Sequence, residues 1–267
     1  MSTAVVYLAR QADGLDATRS FVRSYRAFDA GMPHELVVIL KGFDDGGARA
    51  GAVEAFGAIG GRFIDAEDRG FDLGPYFTVA RSLDHAAYLF LNTFSRILAE
   101  GWLAKFAAAL AAPGVGLAGA TASYESHWTA FEAANRRWKV WGRTARERAF
   151  YRRNFDPFPN PHIRTNAFML ARDTLGRLDL PPVREKHDAY ALESGKSGLT
   201  RQVRRLGLDA VVVDRTGKRW TQDEWPASRT FRSGDEDNLL VADNQTDVFL
   251  NADAGRRAVL SRLAWGA

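Results

Sequence analysis

The 267-residue sequence contains no cysteine, which excludes disulfide bonds and thiolate chemistry. It also lacks any apolar run near the roughly 18 residues that a membrane-spanning helix requires. The N-terminal segment MSTAVVYLAR reaches a charged residue after only a few apolar ones, unlike a signal peptide. Together these absences predict a soluble, cytoplasmic protein.

Hydrophobic residues make up 46% of the sequence, enough to bury a substantial core in one large domain. Short apolar runs alternate with helical patterns in residues 1–123. The predicted strands are Ala4–Leu8, His34–Leu40, Arg62–Asp65, Ala86–Leu91 and Val115–Ala120, and the predicted helices are Leu15–Phe28, Ala48–Ile59, Tyr76–Leu83 and Trp102–Leu110. This alternation predicts an α/β fold with a mostly parallel, doubly wound sheet.

Residues 124–267 are less regular and are expected to complete the same domain. The predicted elements there are strands at Ile163–Leu170 and Asp209–Val213, and helices at Leu199–Leu206 and Arg256–Trp265. Among the apolar strands, Ala86–Leu91 ends abruptly in the polar pair Asn92-Thr93. Because ligands of open α/β sheets bind at the carboxyl ends of strands, this pair is a candidate binding site.

Seven segments, in this order, resemble those of GT-A-type glycosyltransferases, especially family-2-like enzymes of bacterial surface polysaccharide biosynthesis. They are VVYLAR, HELVVILKGF, RFIDAEDRGFDLGPY, YLFLNTFSRIL, GWLAKFAAAL, GVGLAGATAS and HIRTNAFML, and the resemblance spans about Ala4–Val213. It implies a Rossmann-like sheet, a nucleotide-sugar donor bound by residues 1–123, and a glycan or lipid-linked acceptor bound by residues 124–267.

One departure from the family concerns metal binding. The family holds a divalent metal with an Asp-x-Asp motif, but this chain has Leu91-Asn92-Thr93 there. Mg²⁺ and Mn²⁺ prefer anionic oxygen ligands, and this motif supplies none. The sequence therefore predicts no definite metal cofactor, with Mg²⁺ or Mn²⁺ as the alternative. Without a metal, cations must neutralise the leaving diphosphate, and the candidates are Arg10, Lys41, Arg164 and Arg201.

The segment FDLGPY follows the third predicted strand, where the resembled family binds the nucleoside. Asp72 has the chemistry to accept hydrogen bonds from ribose hydroxyls or base N–H groups, and Tyr76 has a ring that could stack on a base. The alternative is that Asp72 only caps the following helix.

A transferase that inverts the sugar needs a carboxylate as general base. The resemblance places an acidic segment near Glu193, which is therefore the first candidate, with Asp188 second. The alternative for both residues is a solvent-exposed loop acid.

Basic residues concentrate in Phe131–Arg153, which has a net charge of +6 from eight Lys or Arg and two Glu. Aromatic residues interleave with them over residues 128–153. This composition suits peripheral contact with the inner face of a membrane, where a lipid-linked acceptor would be found, or an ordinary amphipathic helix. No nucleic-acid-binding motif accompanies it, so no nucleic-acid partner is expected.

Two other functions are compatible with the sequence. A non-catalytic nucleotide-sugar or glycan-binding module would bind the donor without turnover, and a different nucleotidyl-sugar enzyme could use a similar sheet. A glycosyltransferase would both bind and transfer.

Overall fold

The computed structural model describes residues 2–138 and 145–266. Its strands are β1 Thr3–Arg10, β2 Glu35–Lys41, β3 Arg62–Ala66, β4 Ala87–Leu91, β5 Arg96–Ile97, β6 Val115–Gly119, β7 Ala122–Ser123, β8 His162–Ile163, β9 Ala167–Ala171, β10 Asp209–Val213, β11 Arg219–Trp220 and β12 Val241–Ala242. Its α-helices are α1 Leu15–Ala27, α2 Gly46–Phe56, α3 Leu73–Ser82, α4 Trp102–Leu110, α5 His127–Trp138, α6 Ala145–Asn154, α7 Arg172–Gly176, α8 Lys186–Ser194, α9 Leu199–Arg205, α10 Asn244–Leu250 and α11 Ala254–Trp265.

The central sheet has eight strands in the order β11-β10-β6-β9-β4-β1-β2-β3. Strands β4, β1, β2 and β3 run parallel to their neighbours in this group, and β10 is parallel to β6. The expected mostly parallel α/β sheet is therefore confirmed.

The strand expected at Ile163–Leu170 is instead two strands with a break between them. His162–Ile163 pairs with β7 outside the main sheet, whereas Ala167–Ala171 enters the sheet between β4 and β6, antiparallel to both. The prediction of one continuous strand is wrong because Arg164, Thr165 and Asn166 turn away from the sheet edge to make polar contacts.

The sheet is covered on both faces, as the apolar strands predict. Along β1, Ala4, Val6 and Leu8 belong to one buried cluster, which includes side chains of α3 and α9. Val5, Tyr7 and Ala9 belong to the opposite cluster, which includes side chains of α1, α2 and α4. The strict alternation follows from the two-residue period of a strand, and it makes the fold doubly wound.

Residues 124–161 are more regular than the sequence predicted, because α5 and α6 occupy much of this stretch. The aromatic Phe131 is buried in α5 and stacks on Tyr151 of α6 at 4.8 Å between ring centroids. Both rings therefore pack within the protein.

Residues 139–144 of the basic segment lie outside the described residues, so membrane contact through 128–153 stays a prediction. No helix in the described ranges is both long and apolar enough to span a bilayer.

At Gly119, β6 and β8 lie too close together to leave room for a side chain. A Cβ atom at this position would lie 2.2 Å from Cγ2 of Ile163. We expect Gly119→Ala to lower the free energy of unfolding by about 1–3 kcal/mol, because β8 would have to move. Urea unfolding measures this change.

Gly51 in α2 supplies the matched control. A Cβ atom there meets only Cδ1 of Leu15, at the ordinary distance of 3.7 Å. Gly51→Ala should therefore raise stability by up to about 1 kcal/mol. Equal stability of Gly119→Ala and the parent protein would contradict the close approach of β6 and β8.

Candidate functional site

A cavity of about 480 Å³, here called the cleft, lies where β4 ends and β9 begins. The two strands stay joined beyond the sheet, since the N–H of Asn92 donates to the carbonyl of Asn166 at 2.9 Å. Four residues singled out from the sequence line this one cleft: Asp72, Asn92, Arg164 and Glu193. They come from four separate segments, so the fold brings together what the chain keeps apart.

Asp72 reaches the cleft from the residue just before α3, and its side chain does not cap that helix. Phe71, directly before it, has a φ of +50°, a left-handed conformation that is unfavourable for a phenylalanine. The buried Nζ of Lys41 donates to the Phe71 carbonyl at 2.6 Å and so stabilises this turn. Burial raises the pKa of Asp72, and the charge of Lys41 opposes that rise.

Arg10 and Lys41, two of the four candidate cations, both pair with the carboxylate of Asp68. Arg10 donates to both carboxylate oxygens of Asp68 at 2.9 Å, and Lys41 lies 3.4 Å from the same side chain. Hydrogen bonding from Arg10 lowers the pKa of Asp68. These contacts join the ends of β1 and β2 to the loop before α3. Arg10 and Lys41 therefore pair with the loop before Asp72, and neither lines the cleft.

Glu193 lies in the last turn of α8, where a loop was expected. Its Oε1 accepts two hydrogen bonds from Thr165, one from the backbone N–H at 2.9 Å and one from the hydroxyl at 2.8 Å. Within the described residues Oε2 accepts none. The carboxylate is therefore held by one oxygen while the other is available to a ligand in the cleft.

Arg164 and Asn166 belong to one buried polar network. Arg164 donates to Asp243 at 2.9 Å and to the hydroxyl of Thr121 at 3.3 Å. That hydroxyl donates to Oδ1 of Asn166 at 2.7 Å. The amide orientation leaves Nδ2 of Asn166 buried without a partner in a residue that lines the cleft. A buried donor of this kind is costly unless a ligand accepts from it.

Arg232 is a second arginine of the cleft. No sequence pattern indicated it, because it lies in a segment without regular apolar spacing. Its guanidinium donates to Glu125 at 2.7 Å and to Gln245 at 3.2 Å, while its Nε is buried and unpartnered. The Cζ atoms of Arg164 and Arg232 lie 4.1 and 4.8 Å from the centroid of the Phe231 ring. Both guanidinium groups therefore contact the same aromatic ring.

Two imidazoles line the same cleft. His162 is buried, with its Nδ1 2.9 Å from the carbonyl of Asn160, and burial lowers its pKa. His127 stacks on Tyr190 at 4.2 Å, and burial lowers its pKa too. Both rings are therefore neutral at neutral pH and add no positive charge to the cleft.

Two expected site residues, Tyr76 and Arg201, lie elsewhere. Tyr76 is fully buried between Phe90 and Phe168, so its ring has no face open to a base. Arg201 pairs with Asp156 at 2.8 Å and lines a separate cavity. The expectations that Tyr76 stacks on a base and that Arg201 holds the donor diphosphate do not fit these positions.

Asp188 and Thr93 have structural contacts. Oδ2 of Asp188 accepts from the backbone N–H groups of Arg184 and Glu185, both at 2.9 Å, and thereby caps α8. Thr93 is buried, and its carbonyl accepts from the Tyr7 hydroxyl at 2.7 Å. Of the two candidate bases, Glu193 is therefore the one that lines the cleft.

The residues around Asn92 do not fit a divalent metal. Oδ1 of Asn92 accepts from the Ser95 hydroxyl at 3.0 Å, and both side chains are neutral. The nearby carboxylates of Asp243 and Glu125 are paired with Arg164 and Arg232. Among residues 2–138 and 145–266, no group of three His, Asp or Glu side chains is arranged to hold a metal.

No family model matches the chain, and a comparison with curated proteins found no significant match. Among solved structures, the chain is similar to a mannosyltransferase from Pyrobaculum calidifontis in complex with GDP-Man and Mn²⁺, at 15% identity and a TM-score of 0.49 over 85% of this chain and 59% of that one. It is also similar to a CMP:2-keto-3-deoxy-manno-octonic acid synthetase complexed with CTP, at 14% identity and a TM-score of 0.45 over 79% and 89% of the two chains. Mouse xyloside xylosyltransferase 1 has 9% identity and a TM-score of 0.41 over 72% of each chain. These similarities concern the fold alone.

The loop that carries Arg232 into the cleft has an unusual backbone. Arg229, Arg232 and Glu236 have φ values of +57°, +45° and +50°, which side chains with a Cβ rarely adopt. The backbone N–H of Arg232 donates to Oε1 of Glu236 at 2.6 Å and helps to hold this conformation. Burial raises the pKa of Glu236 from 4.5 to about 7.

The shifted pKa of Glu236 makes the stability of the loop depend on pH. Because the folded-state pKa is raised, the stabilisation is present below the ordinary pKa near 4.5 and is lost as the pH rises through about 7. Glu236→Gln keeps an acceptor for the Arg232 N–H without the charge. At alkaline pH we expect this variant to have a higher melting temperature and a free energy of unfolding that is larger by at most about 3 kcal/mol. In acid it should have little effect on either quantity.

Glu54→Gln is the matched control, since Glu54 is exposed on α2. Its melting temperature should follow that of the parent protein at every pH. A Glu236→Gln protein with the same pH profile as the parent would show that Glu236 is not buried as a carboxylate.

Proposed function

We propose that this chain is a glycosyltransferase that moves a sugar from a nucleotide-sugar donor to a glycan or lipid-linked acceptor in surface glycan assembly, with inversion at the anomeric carbon. The observation that supports this function is the shared cleft of Asp72, Asn92, Arg164 and Glu193. The resemblance to GT-A-type enzymes predicted these residues as donor contacts and base from separate segments of the chain.

In this proposal Asp72 binds the nucleoside. A carboxylate accepts hydrogen bonds from ribose hydroxyls or base N–H groups, and Asp72 faces the cleft with no hydrogen bond of its own to the helix that follows. Burial raises the pKa of the Asp72 carboxyl group, whereas a ligand N–H or O–H that donates to it would favour the ionised form.

The donor diphosphate would bind between Arg164, Arg232 and Asn166. The two guanidinium groups share the Phe231 ring, and unpartnered Nε of Arg232 and Nδ2 of Asn166 are both buried in residues that line the cleft. Charge-assisted hydrogen bonds from arginine suit phosphate oxygens in geometry and strength. These groups would stabilise the charge that develops on the leaving nucleoside diphosphate.

Glu193 would act as the general base. The acceptor hydroxyl oxygen attacks the anomeric carbon, the bond from that carbon to the diphosphate oxygen breaks, and Oε2 of Glu193 takes the hydroxyl proton. Thr165 fixes the carboxylate through Oε1, so the free oxygen keeps one direction relative to the cleft. Asn92 would line the donor side, with its amide held by Ser95.

Donor binding is the first part of the proposal to test. We expect one member of a panel of UDP-, GDP-, CMP- and dTDP-sugars to raise the melting temperature, because a ligand that binds only the folded state stabilises it by mass action. The shift should persist in EDTA, since the cleft supplies arginines in place of metal ligands. A shift that needs Mn²⁺ would contradict the arginine site.

Arg232→Lys refines the same experiment. Lysine keeps the charge beside Glu125 but lacks the Nε donor and the planar fork, so we expect donor affinity to fall about tenfold or more. Arg256→Lys, at an exposed position on α11, is the control and should bind the donor as the parent does. Unchanged affinity in Arg232→Lys would remove Arg232 from the donor site.

Turnover tests the general base. Glu193→Gln keeps the shape of the side chain but does not take a proton, so we expect kcat to fall by roughly 10²- to 10⁴-fold with little change in donor affinity. Initial rates with the donor identified by the thermal shift measure kcat, and the shift itself measures binding.

Asp188→Asn is the control on the same helix. It should lower stability by about 0.5–2 kcal/mol, because it weakens the α8 cap, while kcat stays near that of the parent. A large loss of kcat in Asp188→Asn with full turnover in Glu193→Gln would reverse the two assignments. Donor binding with no turnover by the parent protein on any acceptor would favour a non-catalytic binding module.

A further inference from the structure

A second cavity, of about 450 Å³, lies outside the cleft and is strongly basic. Four of the six residues that line it are cationic, and none is acidic: Pro161, Lys196, Arg201, Arg204, Arg205 and Gln222. We call it the basic cavity. The function proposed above uses none of these residues.

Three of the four cations are held in place by the protein. Arg201 pairs with Asp156 at 2.8 Å, and Nζ of Lys196 lies 3.7 Å from the same carboxylate. Lys196 also donates to the Arg152 carbonyl at 3.2 Å, and Arg205 donates to the Lys196 carbonyl. Such contacts distinguish these side chains from cations that extend freely into solvent.

The positive charge of the basic cavity is poorly balanced. Asp156 is shared between Arg201 and Lys196, and the guanidinium of Arg204 has no hydrogen bond or ion pair with any described residue. Four like charges around one concave surface repel one another, and an anionic ligand would relieve that repulsion. Arginine forks match the geometry of a phosphate group.

The basic cavity lies next to the cleft. Asn160 connects them, since its Nδ2 donates to the carbonyl of Ser194, which lines the cleft, and its Oδ1 accepts from Arg201 at 3.4 Å. Three peptide units separate Glu193 from Lys196, which limits their Cα atoms to roughly 11 Å apart. The short segment from Glu193 to Lys196 therefore borders the cleft at one end and the basic cavity at the other.

We propose that the basic cavity binds the phosphate or diphosphate group of a phosphorylated acceptor, whose sugar hydroxyl then faces Glu193. That the ligand is an acceptor rests on the proposed transferase function. The binding of an anion in the basic cavity does not depend on that function. A soluble glycosyl phosphate and a lipid-linked diphosphate share the group that binds. The cavity recognises that group through charge and the arginine forks.

Inorganic pyrophosphate tests the site without any turnover. Isothermal titration of the full chain at low ionic strength should give two classes of site, one in the cleft and one in the basic cavity. The double variant Arg204→Gln/Arg205→Gln should lose the second class, with at least tenfold weaker binding, and keep the first. Arg164→Gln should lose the class of site in the cleft and keep the class in the basic cavity.

The double variant Arg256→Gln/Arg262→Gln controls for lost charge, because it removes two exposed arginines from α11. It should bind pyrophosphate in both classes. The proposal is overturned if Arg204→Gln/Arg205→Gln binds as tightly as the parent, or no more weakly than this control.

Two further experiments distinguish a soluble glycosyl phosphate from lipid headgroups as the source of the phosphate. A soluble glycosyl phosphate should compete with pyrophosphate for the second class in the parent but not in Arg204→Gln/Arg205→Gln. If the double variant loses binding to phosphatidylcholine vesicles containing phosphatidylglycerol while its pyrophosphate binding is unchanged, the surface faces lipid headgroups and the proposal fails. Full turnover in Glu193→Gln would overturn the transferase assignment alone, since pyrophosphate binding does not depend on it.

Discussion

The cleft depends on how β9 enters the sheet. Antiparallel pairing with β4 sets Leu91 opposite Ala167, so the residue after one strand meets the residue before the other. The hydrogen bond from Asn92 to Asn166 extends that pairing beyond the sheet edge. Because β9 runs against its neighbours, the polar turn that precedes it lies at the same edge as the carboxyl ends of β1, β2 and β4. A parallel strand would have put Arg164 and Thr165 at the opposite edge.

The sequence was sufficient to predict the sheet and to single out four residues that line the cleft. Apolar runs such as Tyr88–Leu91 are buried on both faces, so their pattern indicates strands without help from distant residues. The direction and position of β9 could not be predicted in this way, since a buried strand has the same composition whichever way it runs. Arg232 was also beyond prediction, because its position depends on a left-handed backbone and on contacts with Glu125, far away in the chain.

Residue type alone did not separate site residues from structural ones. Asp188 and Glu193 lie on one helix, yet Asp188 closes the α8 capping box whereas Glu193 faces the cleft from the last turn. Lys41 is the last residue of β2 and Arg164 directly follows β8, but Lys41 holds the turn at Phe71 while Arg164 lines the cleft. The difference lies in which backbone groups need a partner nearby, and that becomes known only when the chain is folded.

The pairing of the two cleft arginines bears on how an anion would bind there. Arg164 has a buried carboxylate partner in Asp243, and Arg232 pairs with the more exposed Glu125. An unpaired buried guanidinium is costly, so these carboxylates stabilise the two arginines in the cleft. In the proposed function, a diphosphate would accept hydrogen bonds from Nε of Arg232 and Nδ2 of Asn166, the two buried donors of the cleft that have no partner among the described residues. Four carboxylates and two arginines line the cleft, so in the proposed function a diphosphate would depend on these two guanidinium groups to offset the charge of Asp72 and Glu193.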